Sequence, residues 1–192
     1  MTTNSPRGHL FILSGPAGVG KGTLRKRLFE RVPGLVFSVS CTTRPRRPRE
    51  VEARDYFFVD KEEFGRLIIK GAFLEWAEVH GNYYGTRRAD VETCLDLGCD
   101  MVLEIDVQGA KQIKEKMPDA IPIFITVSSP DELEARLKKR GTESPDQLLL
   151  RMRNAAVEMK HAREYDHVIV NDDLERAADE LVAIVERSRG KE

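Results

Sequence analysis

The chain has 192 residues, enough for one domain with a sizeable core that should bury roughly 70% of the unfolded surface. It carries 31 Lys and Arg against 32 Asp and Glu, a formal net charge of −1, so no global positive field favours non-specific binding to nucleic acid. No apolar run approaches the roughly 20 residues that span a bilayer, and the three cysteines lack metal-ligand spacing. We therefore expect a cytoplasmic protein with reduced thiols that binds neither nucleic acid nor membrane. An oligomer is possible but is not predicted.

Short apolar runs alternate with amphipathic segments along the chain. Strands are predicted at residues 9–14, 36–40, 55–59, 101–106, 121–127 and 167–170, with a hairpin over 73–85. Helices are predicted at residues 21–32, 61–70, 88–97, 108–117, 130–139, 147–163 and 173–188. Asp60 followed by Glu63, and Ser129 followed by Glu132, are helix-start signals. Apolar strands that alternate with helices predict an α/β fold with a central parallel sheet flanked by helices.

A glycine-rich segment, GPAGVGKGT, joins the first predicted strand to its helix at residues 15–23. In that setting it predicts a P-loop, in which backbone N–H groups and the helix N-terminus hold phosphate oxygens and Lys21 reaches the β- and γ-phosphates. The alternative is a glycine-rich turn without a ligand. The predicted phosphate-binding residues are Gly15, Pro16, Ala17, Gly18, Val19, Gly20, Lys21, Gly22 and Thr23.

One position departs from the P-loop pattern, which has Ser or Thr after the lysine where this chain has Gly22. The hydroxyl that usually meets magnesium is displaced to Thr23. Glu104 and Asp106, at the end of the strand over 101–106, are predicted to hold Mg²⁺, in part through water. The alternative for these two carboxylates is capping of the next helix.

The segment CTTRPRRPRE at residues 41–50 contains four arginines and two prolines. Such a run is typical either of a polyanion-binding arm or of a site for a single phosphate. Acidic neighbours reduce the net charge of residues 44–55 to +2, which disfavours a nucleic-acid arm.

These motifs together resemble the guanylate kinases, which transfer the γ-phosphoryl group of ATP to GMP. Nearly the whole chain takes part, through GPAGVGKGT, SVSCTTRPRRPRE, DYFF, FLEWAEVHGNYYGT, LEIDVQGA, RLKKRGT and VIVNDDL. The resemblance implies a P-loop kinase fold in a single domain over residues 1–192. Its expected parts are a core at 1–35, 91–130 and 166–192, a small mixed α/β GMP-binding lobe at about 36–90, and a helical lid at about 131–165.

The resemblance also implies which residues bind GMP. Arg44, Arg47, Tyr56 and Tyr84 would hold its phosphate, with Ser40 near either the phosphate or the base. Glu75, Thr86 and Asp106 match positions that read guanine, and one carboxylate can accept both N1–H and the 2-amino group. Arg46 and Arg49 have no such assignment and are expected to face water. Whether dGMP is also accepted is left open.

On the ATP side the resemblance implies three lid arginines, Arg136, Arg140 and Arg151, and a residue bordering adenine, Asn171. Arg136 could equally be surface charge of its helix. The expected catalytic residues are Lys21, Arg44, Arg140 and Arg151, with Mg²⁺ as cofactor and ATP as phosphoryl donor.

Two other functions fit the same fold. One is a non-catalytic interaction module that binds a phosphorylated peptide, which the intact phosphate loop with Lys21 disfavours. The other is a kinase for a different small molecule, such as AMP or a sugar phosphate, which Glu75, Tyr84 and Thr86 disfavour.

Overall fold

In the computed structural model of the chain, residues 7–79, 81–140 and 145–190 are described. The strands are β1 (Leu10–Ser14), β2 (Leu35–Phe37), β3 (Cys41–Thr42), β4 (Phe57–Phe58), β5 (Phe73–Val79), β6 (Asn82–Arg87), β7 (Asp100–Glu104), β8 (Ile121–Thr126) and β9 (His167–Val170). The α-helices are α1 (Lys21–Arg31), α2 (Lys61–Ile69), α3 (Arg88–Asp96), α4 (Val107–Lys116), α5 (Pro130–Arg140), α6 (Pro145–Glu158) and α7 (Leu174–Ser188), and a 3₁₀ helix covers Met159–Glu164.

The larger sheet has five strands in the order β2-β7-β1-β8-β9. β8 pairs in parallel with β1 on one side and with β9 on the other. Every residue of β1 is buried, as its continuous apolar sequence predicts for a strand covered on both faces. Helices α1 and α7 pack against each other and bury Leu24, Leu28 and Leu181. The predicted central parallel sheet flanked by helices is confirmed.

The smaller sheet has four strands in the order β4-β3-β6-β5. β5 and β6 form the predicted antiparallel hairpin, and β6 also pairs antiparallel with β3. Helix α2 begins after Asp60, whose carboxylate accepts from the Glu63 N–H at 2.7 Å as the capping pattern predicts. Its Phe64 ring stacks on Phe73 at 4.5 Å between centroids, which anchors the helix on the hairpin.

The strand expected over 55–59 is limited to Phe57–Phe58, and the strand expected over 101–106 runs from Asp100 to Glu104. Two further elements differ more. The strand expected over 36–40 ends at Phe37, because residues 38–40 carry the chain from β2 to β3 in the other sheet. Ser38 N–H donates to Val102 O at 3.0 Å, whereas Cys41 is already paired with Gly85. The helix expected over 147–163 begins at Pro145 and changes to a 3₁₀ helix after Glu158, a common way for an α-helix to end.

Backbone contacts divide the chain into two compact units. The first unit comprises Met1–Leu10, Val36–Leu103 and Gln108–Ala120, and the second comprises Phe11–Leu35, Glu104–Val107 and Ile121–Glu192. The division into core, lobe and lid stays a prediction. Within the described ranges, no helix is long and apolar enough to cross a membrane.

Candidate active site

The loop between β1 and α1, in the second unit, depends on three glycines with positive φ: Gly15 at 137°, Gly18 at 97° and Gly20 at 93°. Residues with side chains rarely adopt this backbone conformation. Space is also lacking, since a Cβ on Gly15 would lie 2.0 Å from the Ile125 carbonyl oxygen. A Cβ on Gly20 would lie 2.6 Å from Nδ2 of Asn171. The shape of the loop therefore requires glycine at these positions.

Helix α1 begins at Lys21 without a side-chain cap at Gly20 and without an acidic residue in its first turn. The first N–H groups of a helix have no partner within the helix, and they lie at the positive end of its dipole. An uncapped, non-acidic first turn after a glycine loop is therefore suited to binding an anion such as phosphate.

The Lys21 ammonium group donates to the backbone carbonyls of Gly15 and Pro16, at 3.1 Å from the Pro16 oxygen. Asn171, expected beside adenine, is buried, and its amide donates to Val19 O at 2.7 Å. Asn171 thus ties the loop to the end of β9. Its contact with adenine stays a prediction.

Of the residues expected to hold magnesium, Glu104 accepts from Arg25 Nε at 3.1 Å. Thr23 is exposed. A Cβ on Gly22 would lie 3.9 Å from both carboxylate oxygens of Glu104, an ordinary contact distance. The missing hydroxyl at position 22 is therefore not explained by lack of space.

Asp106 follows β7, and the backbone before it is fixed by Ser14 Oγ, which donates to Ile105 O at 2.9 Å. The sequence did not indicate a second carboxylate in this region, Glu158, at the end of α6. Burial raises the pKa of Glu158, and the Lys21 ammonium partly offsets that effect. Glu158 is outside every motif, so no sequence signal could have identified it.

The three arginines expected in the lid are found in different settings. Arg136 Nε donates to Glu132 Oε1 at 2.7 Å, one turn earlier in α5, and its Nη2 donates to Asp172 O at 3.4 Å. Arg151 is half-buried in α6. The side chain of Arg140, as well as residues 141–144 of the expected lid, lies outside the described residues.

In the first unit, Arg44 makes a bidentate ion pair with Glu50, with Nη1 2.8 Å from Oε2 and Nη2 2.7 Å from Oε1. Glu50 also accepts from the Arg47 N–H at 2.9 Å. Hydrogen bonds from Arg44 and from the Arg47 backbone lower the pKa of Glu50 to about 2. The sequence indicated only that acidic neighbours dilute the arginine charge, and the pairing with Glu50 was missed.

Two of the other residues expected at the GMP phosphate also lie beside Arg44. The Arg44 guanidinium is 5.1 Å from the Tyr56 ring centroid. Hydrogen bonding to Glu50, and to a lesser degree to Tyr84, raises the pKa of Arg44. Arg47 has an exposed side chain, and Ser40 is half-buried with its carbonyl accepting from Phe57 N–H at 2.9 Å. Arg46 and Arg49 are exposed as well.

Glu75 is 5% exposed, and its Oε1 accepts a hydrogen bond from the fully buried Thr86 hydroxyl at 2.5 Å. The two residues face each other across the β5–β6 hairpin. A hydroxyl has one proton, so Thr86 cannot donate to Glu75 and to a base at the same time. Asp106, the third residue expected to read guanine, belongs to the second unit.

A parallel sheet whose first strand leads through a glycine loop and a lysine into an uncapped helix defines a P-loop nucleotide-binding protein. The family model described as guanylate kinase matches residues 7–188. The chain belongs to the guanylate kinase family.

Known proteins from several bacteria are similar to the chain over nearly its full length. The guanylate kinase of Symbiobacterium thermophilum is 50% identical over 182 residues, which cover 95% of this chain and 86% of the relative. That of Thermotoga maritima is 45% identical over 185 residues, 96% of this chain and 89% of the relative. The crystal structure of guanylate kinase from Anaplasma phagocytophilum superposes with a TM-score of 0.77 at 38% identity, over 96% of this chain and 87% of that one. The predicted family and P-loop kinase fold are confirmed.

Proposed function

We infer that the chain is an ATP-dependent phosphotransferase that converts ATP and GMP to ADP and GDP, as part of purine nucleotide metabolism. Membership of the guanylate kinase family over residues 7–188 supports this activity. GMP is proposed as the acceptor because the carboxylate of Glu75 is buried and accepts a hydrogen bond from Thr86. Cytoplasmic location stays a prediction.

On the donor side, we propose that the glycine loop and the first turn of α1 hold the ATP phosphates. The Lys21 ammonium group, now on two loop carbonyls, is a compact charge on a flexible stem and can turn to the β- and γ-phosphates. Arg136, Arg140 and Arg151 are proposed to neutralise charge on the transferred group. Asn171 serves the site by fixing the loop, and its proposed position is the border of adenine.

The acidic residues near the loop fit Mg²⁺. This ion prefers oxygen ligands, keeps several waters and commonly uses one or two carboxylates together with substrate phosphates. No group of three or more His, Cys, Asp or Glu residues in the described parts of the chain could hold a metal ion by itself. We propose that Thr23, Glu104 and Asp106 hold the ion partly through water. When bound, it would neutralise charge on the β- and γ-phosphates.

On the acceptor side, we propose that Arg44, Arg47, Tyr56 and Tyr84 bind the GMP phosphate, with Ser40 close to it. Guanidinium forks and phenol hydroxyls can satisfy a dianionic phosphate. Glu75 accepts the N1–H and 2-amino protons of guanine. Once the base supplies these protons, the Thr86 hydroxyl is released to donate to O6, and Asp106 is proposed as a further contact to the base.

The chemistry requires positioning and charge stabilisation more than proton transfer. The attacking oxygen belongs to the GMP phosphate and is already an anion, so a dedicated general base is not needed. Lys21 and the arginines stabilise charge on the transferred group while the oxygen attacks in line.

Replacement of Glu75 by Gln tests the proposed acceptor site. Glutamine keeps the shape but presents an amide that cannot accept both guanine protons, so kcat/KM for GMP should fall by about 10- to 100-fold. The measurement is ADP formation in a coupled assay with GMP or AMP as acceptor.

Glu78→Gln is the matched control, because Glu78 is an exposed glutamate on the same strand. Its GMP kinetics should stay within about twofold of the parent chain. Unchanged GMP kinetics in Glu75→Gln would show that Glu75 does not read the base.

A further inference from the structure

Helix α4 lies against the strand that carries Glu75, and it does so with one face. Gln112 Oε1 accepts from the Trp76 N–H at 3.3 Å, and Gln112 Nε2 donates to Trp76 O at 3.1 Å. Lys116 donates to the Leu74 carbonyl oxygen. Gly109, Gln112 and Lys116 have the spacing i, i+3, i+7, which places them on the same helix face. The helix is thereby fixed to the backbone on both sides of Glu75.

Gly109 is the member of this face that lies beside the Glu75 side chain. A Cβ on Gly109 would be 2.9 Å from Glu75 Oε2, 3.3 Å from Cδ and 3.4 Å from Cγ. Its three nearest neighbours are therefore all atoms of this one side chain. The other carboxylate oxygen, Oε1, is the one that accepts from Thr86.

The helix also favours a carboxylate at this place. Gly109 is the third residue of α4, and the first turn of a helix presents N–H groups and the positive end of the dipole. The Glu75 carboxylate thus lies between the Thr86 hydroxyl, next to Oε1, and the first turn of α4, next to Oε2.

We propose that Gly109 is a positioning residue that determines base specificity, because the missing side chain leaves Glu75 the room to reach the 2-amino group of guanine. The inference rests on the proposed role of Glu75. Gly109 lies within a helix, where alanine is more favourable than glycine, so helix stability alone would favour a side chain here. The atom that a Cβ would meet is the end of a flexible side chain, so Gly109→Ala should displace the carboxylate and leave the fold intact.

The test compares GMP with inosine monophosphate (IMP), whose base keeps N1–H and O6 and lacks only the 2-amino group. In Gly109→Ala we expect the ratio of kcat/KM for GMP to that for IMP to fall by about tenfold, through KM for GMP, with kcat at saturating GMP nearly unchanged. Gly65→Ala is the matched control, because Gly65 lies in α2 with nothing within 4 Å of an added Cβ. It should leave the ratio unchanged.

Glu75→Gln is measured in the same assay as Gly109→Ala. It separates the positioning role of Gly109 from the base reading by Glu75. If Glu75→Gln lowers the ratio and Gly109→Ala does not, the inference about Gly109 is wrong and the proposed base reading stands. If neither variant changes the ratio, the inference about Gly109 is wrong, and the base reading is also wrong where Glu75→Gln leaves kcat/KM for GMP unchanged. Loss of kcat for GMP and IMP alike in Gly109→Ala would also overturn the specificity role.

A second variant covers the case in which Gly109→Ala does not fold. Glu75→Ala removes the side chain that the new methyl group would meet, so Glu75→Ala/Gly109→Ala should recover the thermal unfolding midpoint of Glu75→Ala alone. A double variant that remains unfolded would contradict the contact on which the inference depends.

Discussion

In the phosphate loop, three glycines with φ between 93° and 137° shape the backbone, and neighbouring atoms of Ile125 and Asn171 leave no room for a side chain. In the region around Arg44 and Glu75, side chains hold one another, through the pair with Glu50 and the hydrogen bond from Thr86. The shape of the first region is set by its own backbone. In the second region, the charged groups of Arg44 and Glu75 have partners within the chain. In the proposed function, a phosphate chain is bound through backbone geometry, and the acceptor is selected through side-chain contacts that can exchange.

The largest expected effect is that of Lys21→Ala. Loss of the ammonium group removes charge stabilisation from the transferred phosphoryl, so kcat should fall by about 10²- to 10³-fold. GMP affinity, measured by isothermal titration calorimetry, should stay within about twofold if the two regions act separately. A parallel loss of GMP binding would contradict that separation.

Gly15→Ala tests whether backbone geometry fixes the loop. The new Cβ would overlap the Ile125 carbonyl at 2.0 Å, and backbone cannot move aside as a side-chain end can. The free energy of unfolding should fall by about 3 kcal/mol or more, measured by denaturant titration.

Gly34→Ala is the control for the effect of φ alone, since Gly34 has φ 79° and nothing within 4 Å of an added Cβ. It should cost about 1 kcal/mol. Equal losses in the two variants would mean that overlap with Ile125 contributes nothing.

Arg44→Ala should raise KM for GMP by about 10- to 100-fold, because bidentate, charge-assisted hydrogen bonds to phosphate are lost. Arg46→Ala, in the same exposed turn, should change KM by less than about twofold. KM for GMP in both variants is measured by steady-state kinetics with varied GMP. Equal effects at both positions would favour a diffuse basic patch over a built phosphate site.

The smallest effect concerns Glu50, and it depends on pH. The folded-state pKa of about 2 lies below the ordinary value of 4.5, so the folded chain binds fewer protons than the unfolded chain between these values. The stabilisation from Glu50 is therefore complete above about pH 4.5 and is lost as the pH falls toward 2.

Thermal unfolding of Glu50→Gln should show this dependence. The difference in unfolding midpoint between the parent chain and Glu50→Gln should narrow from pH 5 toward pH 3, because over this range the Glu50 carboxylate becomes protonated in the unfolded chain while it stays mostly ionised in the folded chain. A difference that stays constant with pH would show that the carboxylate charge is not what stabilises the turn.

The difference between the phosphate loop and the region around Arg44 and Glu75 also explains how much could be predicted from the sequence. The phosphate loop could be identified because its function depends on local backbone conformation, which the glycines and Lys21 encode within nine residues at 15–23. The pairing of Arg44 could not, because Glu50, Glu52 and Asp55 all lie close by in the sequence and composition does not distinguish them. In the structure Asp55 instead accepts from Val51 N–H at 2.8 Å and from Arg54.

Long-range contacts account for most of the remaining differences. The strand expected over 36–40 ends at Phe37, because Ser38 still bonds to Val102 whereas Cys41, one residue beyond the expected strand, pairs with Gly85 in the other sheet. Gly109 and Glu75 are 34 positions apart, and nothing in the local sequence of either indicates the other. The hairpin at 73–85 was predicted from its alternating pattern, but the hydrogen bonds between its edge strand β5 and helix α4 were not.

Strand β5 is an edge strand of the smaller sheet, and its backbone groups matter when copies of the chain meet at high concentration. An unpaired edge strand offers N–H and C=O groups to which a strand of another molecule can add. The side-chain amide of Gln112 occupies both groups of Trp76, and Lys116 occupies the carbonyl of Leu74. Because Trp76 and Val79 are 38% and 37% exposed, this stretch would otherwise combine apolar surface with free pairing groups. Helix α4 thus occupies backbone groups at Leu74 and Trp76 to which a strand of another copy would otherwise bond.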